Sequence, residues 1–147
     1  MVSRTTEKAV NILLVEDNRG DAILIEMLAG KWSFPVNTKI AHDGEEALNF
    51  LDGGSPFGDE IHPDLILLDL NLPKIDGHQV LSTIKSDPKL REIPVLVLTS
   101  SNNPRDKELT LKNHADGYFV KGMNMDELTA VMAHIEEFWL KFKKEKG

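Results

Sequence analysis

The sequence predicts a doubly wound α/β fold, with five parallel strands in one sheet and helices on both faces. Two observations carry this. Short apolar runs, led by Leu65-Ile-Leu-Leu68 and Val95-Leu-Val-Leu98, show no polar alternation, the mark of strands buried on both faces. Each run is followed by a segment with helical spacing, so the chain reads as successive βα repeats. Its 147 residues favour one domain with a core of ordinary size.

Residues 1–9 are polar and are expected to form a flexible N-terminus. Asn11-Ile-Leu-Leu-Val15 is the first strand and ends on Glu16 and Asp17. Asn18-Arg-Gly-Asp21 forms a turn and cap. The helix after it puts Ile23, Leu24, Met27 and Leu28 on one face and stops near Gly30. Val36 to Ala41 is a strand with one wetter face. His42-Asp-Gly44 turns the chain into a helix, Glu45 to Leu51, that packs through Ala47, Leu48 and Leu51. Asp52 to Pro63, with three glycines and two prolines, is a long loop.

The Leu65–Leu68 strand ends abruptly on Asp69, and Pro73 stops any regular continuation. Gly77 to Lys85 is helical, with Val80, Leu81 and Ile84 inward, and Ser86-Asp-Pro88 breaks it. Val95–Leu98 ends on the hydroxyl trio Thr99-Ser100-Ser101. Asn102-Asn-Pro104 starts a helix to about Asn113 whose apolar content is thin, Leu109 and Leu111. Gly117-Tyr-Phe-Val120 is the fifth strand and ends on Lys121. Met125 to Lys146 is one long amphipathic helix, with Leu128, Val131, Met132, Ile135, Trp139 and Phe142 at helical spacing. The domain therefore spans 10–147, including an extended C-terminal helix over 125–146.

Composition excludes several classes. No run approaches the roughly 18 apolar residues of a membrane span, and the start lacks the apolar core of a signal peptide. The absence of cysteine rules out disulfides, thiolate metal sites and cysteine nucleophiles, and fits a cytoplasmic protein. A net charge of -7 argues against a nucleic-acid surface and suits a cation site or a basic protein partner. His42, His62, His78, His114 and His134 show no ligand spacing and are expected to be surface or structural.

Parallel strands all end on the same side of a sheet, where open α/β folds bind their ligands. Four of the five strands end there on a group able to act on a phosphate or a cation: Glu16 with Asp17, Asp69, Thr99 and Lys121. Taken singly, an acid after a strand is often a helix cap, a Thr a turn residue and a Lys a solvated charge. Packing does not explain all of them together. Three crowded carboxylates repel, and a divalent cation relieves the repulsion. Oxygen-only ligation with room for water suits Mg²⁺ better than zinc. A carboxylate can also attack phosphorus to give an aspartyl phosphate, with Mg²⁺, the Lys121 ammonium and the Thr99 hydroxyl neutralising the phosphoryl oxygens.

With these motifs in this order over roughly residues 10–137, the chain resembles the receiver domains of two-component response regulators. The resemblance implies a flavodoxin-like sheet with strand order 2-1-3-4-5. It further implies that Asp69 accepts a phosphoryl group from a sensor histidine kinase, with Asp17, Asp69 and the Asn71 backbone carbonyl holding Mg²⁺. Glu16 would act through a metal-bound water. Thr99 matches the switch hydroxyl, Lys121 the family lysine, Tyr118 the switch aromatic, and Pro73 with Gly77 the family's Pro-x-x-x-Gly turn. One position departs: the family lysine is usually followed by proline, commonly on a cis bond, and here stands Gly122. A cis bond before a non-proline costs about 2.5–4 kcal/mol, which leaves the geometry of this loop open. The Leu-Asn-Leu-Pro turn and the ending Ile135-Glu-Glu-Phe-Trp-Leu140 look most like small phytochrome-associated response regulators, which implies a phytochrome-type kinase as partner. A chemotaxis-type or phosphorelay receiver is the alternative within the family.

Two readings outside it compete. A Mg²⁺-dependent phosphohydrolase with an aspartyl intermediate would keep an acid two residues after its nucleophile, where this chain has Asn71. A flavin carrier would need a hydroxyl-rich phosphate loop after the first strand, where Glu16 and Asp17 repel phosphate. Only Lys141 to Gly147 follow the domain, so output is expected through phosphorylation-dependent protein contacts. The terminal helix, about 33 Å long at 1.5 Å per residue, exceeds what the last strand covers. Phe138, Trp139 and Phe142 therefore continue its apolar face past the expected edge of the domain, predicting a homodimer interface. The competing expectation is that they fold back on the same subunit.

Overall fold

The computed structural model describes residues 8–52 and 62–146. The expectations for residues 1–7, for the 53–61 stretch of the long loop and for residue 147 lie outside the described residues. Strands β1 (Val10–Val15), β2 (Val36–Ala41), β3 (Leu65–Leu68), β4 (Val95–Thr99) and β5 (Gly117–Val120) form one sheet in the order β2-β1-β3-β4-β5, every pair parallel. Between and after them run α1 (Arg19–Ala29), α2 (Gly44–Leu51), α3 (Gly77–Ser86), α4 (Pro104–Lys112) and α5 (Met125–Lys146). This is the expected receiver topology.

The period of two along each strand divides the apolar runs between two cores. Ile12, Leu14, Leu65, Leu67, Leu96 and Leu98 face one way and meet Ala22, Ile25 and Leu28 of α1 and Leu128, Met132 and Ile135 of α5. Leu13, Val15, Ile66, Leu68 and Val95 face the other way and meet Ala47 and Phe50 of α2 and Val80, Leu81 and Ile84 of α3. A run that must satisfy both faces has no room for polar alternation.

Every helix opens on an Asx side chain that accepts a backbone N–H of the first turn: Asn18 from Asp21, Asp43 from Glu46, Asp76 from Gln79, Asn103 from Arg105 and Asn124 from Glu127. Because each helix follows a strand, these caps all sit at the carboxyl end of the sheet. They fix where each helix begins, and with that its rotational phase.

That phase corrects part of the sequence reading. Starting at the Asn18 cap, α1 turns Ala22, Ile25, Leu28 and Ala29 inward and leaves Ile23 (63% exposed) and Met27 as an outer i, i+4 pair. In α2 Phe50 is buried and Leu48 and Leu51 only partly so. In α4 Leu109 and Leu111 are both exposed and Thr110 takes the buried position, its hydroxyl donating to the Lys107 carbonyl at 2.9 Å.

The end of α5 needs a further correction. Trp139, expected on a projecting surface, is only 5% exposed and belongs to the α1/α5 core. It stacks on Phe142 with centroids 5.7 Å apart, and Trp32, from the segment after α1, joins the same core with Phe34 packed against it. The Trp32 indole N–H donates to the Met132 carbonyl at 3.1 Å, and the Ser33 N–H donates to Glu136 Oε2 at 2.7 Å. Two bonds thus clamp that segment along α5. Phe138 and Phe142 stack on each other, centroids 6.3 Å apart, and remain half-buried.

Candidate functional site

The sheet delivers Thr99 at its last paired position and Glu16, Asp69 and Lys121 one step past theirs. Val15 is in register with Leu68, and Thr99 with Val120. The ladder then runs on by one bond into the site. The Glu16 N–H donates to the Ala41 carbonyl at 3.0 Å, the Asp69 N–H to the Val15 carbonyl at 3.0 Å and the Lys121 N–H to the Thr99 carbonyl at 2.9 Å. The backbones of three functional residues are therefore pinned by the sheet itself. Gly77 completes the frame: a Cβ there would run into the Asp69 carbonyl and Leu70 Cα, so only glycine lets α3 start so close behind the acid.

Glu16, Asp69, Thr99 and Lys121 are all buried, and Asp17 stands exposed at the mouth. Carboxylate oxygens of Glu16, Asp17 and Asp69 all lie within 4.8 Å of one another. Asp69 Oδ1 accepts the Asn71 backbone N–H at 3.2 Å, and Asp69 Oδ2 accepts from Lys121 Nζ at 3.1 Å. Lys121 Nζ also lies 2.6 Å from Glu16 Oε1 and donates to Asp21 Oδ2 at 2.9 Å. The Glu16 contact is a close ion pair without hydrogen-bond alignment, so that buried oxygen keeps no hydrogen-bond partner among the described residues.

The electrostatics follow from this crowding. Burial, with the Asp69 charge behind it, pushes the Glu16 carboxyl up to about 7 against the opposing pull of Lys121. Burial alone would lower Lys121, but the carboxylates of Glu16, Asp21 and Asp69 outweigh it and hold the ammonium's pKa above its ordinary value. Three clustered carboxylates against one ammonium fit a hard, oxygen-ligated divalent cation at Glu16, Asp17 and Asp69.

Behind the acids lies a second bonded set. Thr99 Oγ1 accepts the Ser101 N–H at 3.3 Å, the Tyr118 hydroxyl donates to the Ser101 carbonyl at 2.9 Å, and Ser101 Oγ donates to Asp106 Oδ2 at 2.6 Å. Asp106 Oδ1 is 3.0 Å from His78 Nε2 on α3, so this histidine is structural, as expected. Tyr118 is half-buried, and burial raises its phenol above the usual range.

All peptide bonds among the described residues are trans, and Gly122 turns the chain with φ +85°. A side chain at 122 would collide with Glu127, whose Oε1 accepts the Met123 N–H at 2.6 Å. The chain thus leaves Lys121 on a trans bond and a left-handed glycine. Asp21 was read from the sequence as part of a turn and cap, and its contact with Lys121 was missed. The available signal was its place one turn past the acidic pair, at the start of a helix that leaves the same strand end.

The response regulator receiver domain family model matches residues 12–133. The chain is 39% identical over 136 residues to the probable methanogenesis regulatory protein FilR2 of Methanothrix harundinacea, covering 92% of this chain and 87% of that protein. It is 40% identical over 129 residues to response regulator Rcp1 of Synechocystis sp., covering 88% of each. Among solved structures, the phosphorylated cyanobacterial phytochrome response regulator RcpA has a TM-score of 0.85 at 42% identity, over 90% of this chain and 95% of RcpA. The Mn²⁺-bound form of Rcp1 has a TM-score of 0.84 at 40% identity, over 89% of this chain and 94% of that one. Receiver domains bind a divalent metal and are phosphorylated by sensor histidine kinases. With the acidic cleft, the sheet order and a match that runs from β1 into the first turns of α5, this chain belongs to the response regulator receiver domain family.

Proposed function

We propose that Asp69 is the phosphoryl acceptor. The observation that carries this is the placing of its carboxylate, with Oδ1 on the Asn71 N–H and Oδ2 on Lys121 Nζ, inside the one group among the described residues whose three carboxylates are spaced to hold a metal ion. A carboxylate oxygen forms the new P–O bond as the P–N bond of a kinase phosphohistidine breaks, the departing imidazole keeping the electron pair. Lys121 and Thr99 bind the phosphoryl oxygens. Asp17, Asp69 and the Asn71 carbonyl would hold Mg²⁺, with Glu16 acting through water, and the ion would supply charge neutralisation at the phosphoryl group. Thr99 and Tyr118 carry the change outward to a protein partner.

The kinase is of the phytochrome type. Support comes from the likeness to Rcp1 and RcpA and to a bacteriophytochrome response regulator, AtBRR, at 34% identity and a TM-score of 0.70. Profiling settles it: the chain is offered to a panel of purified phosphorylated histidine kinases. Transfer should be fastest from phytochrome kinases. Equal or faster transfer from a kinase with no photoreceptor module contradicts the assignment.

The same reading includes a homodimer that uses the flank of α5 carrying Phe138 and Phe142, now without Trp139. Its support is the stacked, half-buried aromatic pair.

A further inference from the structure

Lys121 has three ammonium protons and three carboxylates around it, yet the three do different work. Glu16 and Asp69 belong to the cluster that suits a cation. Asp21 does not. It comes from the first turn of α1, 100 residues away in sequence, and its Oδ2 meets Nζ at 2.9 Å in an aligned hydrogen bond. Its side chain is 37% exposed where Glu16's is 1% exposed, so it reaches Lys121 from the solvent side of the site. Position 21 is set by the Asn18 cap, which accepts the Asp21 N–H at 3.0 Å and so orients the residue carrying the carboxylate.

Charge balance gives this contact a role. A divalent cation among Glu16, Asp17 and Asp69 draws their charge towards itself and repels the neighbouring ammonium. A phosphoryl group on Asp69 also converts one acceptor oxygen into an ester oxygen. Two of the three anchors of Lys121 weaken in the state where its charge is needed, and Asp21 stands outside both changes. Resting on the reading of Asp69 as phosphoryl acceptor, we infer that Asp21 is a positioning residue: the dedicated counter-ion that keeps the Lys121 ammonium beside Asp69 once Glu16 and Asp69 are engaged. The ordinary preference for an acid in the first turn of a helix accounts for an aspartate at 21. It does not account for a carboxylate turned onto Lys121.

The test uses the full chain as wild type, Asp21→Asn, Lys121→Gln and the double variant. Phosphorylation by acetyl phosphate in saturating MgCl₂ is followed, Mg²⁺ affinity is measured by calorimetry, and the Lys121 side-chain ammonium is observed by ¹⁵N NMR in Mg²⁺-saturated protein. Asp21→Asn should label roughly ten- to a hundredfold more slowly, short of the loss expected from deleting a positioned donor outright. Mg²⁺ affinity should stay within a few-fold of wild type. The double variant should be no slower than Lys121→Gln, since Asp21 acts only through the lysine. In the Mg²⁺-saturated protein the ammonium signal should be sharp in wild type and lost to solvent exchange in Asp21→Asn, a change that a helix-dipole role would not produce. Unslowed labelling of Asp21→Asn, losses that multiply in the double variant, or an unchanged ammonium signal would each overturn the inference alone. Wild-type label that persists in Asp69→Asn would overturn the underlying reading and the inference with it.

Discussion

The Tyr118 hydroxyl donates to the backbone carbonyl of Ser101 at 2.9 Å, tying the edge strand β5 to the loop that leaves Thr99. Ser101 also gives its N–H to Thr99 Oγ1 and its hydroxyl to Asp106. Thr99 Oγ1 only accepts in its Ser101 bond, so its O–H is left to donate towards a phosphoryl group on Asp69. A phosphoryl group shifts the equilibrium only through contacts that are better in one state. Thr99→Ala should therefore accept the phosphoryl group but leave Tyr118 where it is. NMR of Tyr118 with and without beryllofluoride checks this, and a wild-type Tyr118 shift in Thr99→Ala contradicts it.

Gly122 combines a φ of +85° with contact against Glu127. Gly122→Ala should cost at least about 1–2 kcal/mol from the left-handed backbone alone, measured by urea unfolding. A stability equal to wild type would show that the loop adopts another path.

Trp139 packs inside its own subunit, which makes it a stability residue first. Trp139→Ala should lose about 3–5 kcal/mol, and Trp32→Ala should fall in the same range. A small loss at Trp139 accompanied by dissociation of a dimer would instead place this ring at an interface.

The dimer proposal now falls to Phe138 and Phe142. Light scattering should give about twice the 16.5 kDa chain mass, and Phe138→Glu should give a folded monomer. A wild-type chain that stays monomeric at high micromolar concentration, with and without beryllofluoride, removes the interface.

The sheet and the acidic cleft were legible because parallel burial forces unbroken apolar runs, and Glu16, Asp69, Thr99 and Lys121 stand where those runs end. Less legible was anything decided by helix phase. Ile23 and Met27 look like core residues by spacing, yet the Asn18 cap rotates them outward. Trp139 looks unsupported in the sequence because Trp32, which shares its core, lies more than a hundred positions earlier in a segment without periodicity. Asp21 shows the same limit: its cap position is local, and its partner Lys121 is not.

The central claim is that Asp69, in this cation-suited cleft, takes the phosphoryl group. Incubation of the chain with acetyl phosphate and MgCl₂, followed by intact-mass and peptide mass spectrometry, tests it most directly. One acid-stable, base-labile phosphoryl group should appear on Asp69, and should be absent from Asp69→Asn and from wild type in EDTA. Phosphate mapped to another residue, or full labelling in EDTA, would contradict it.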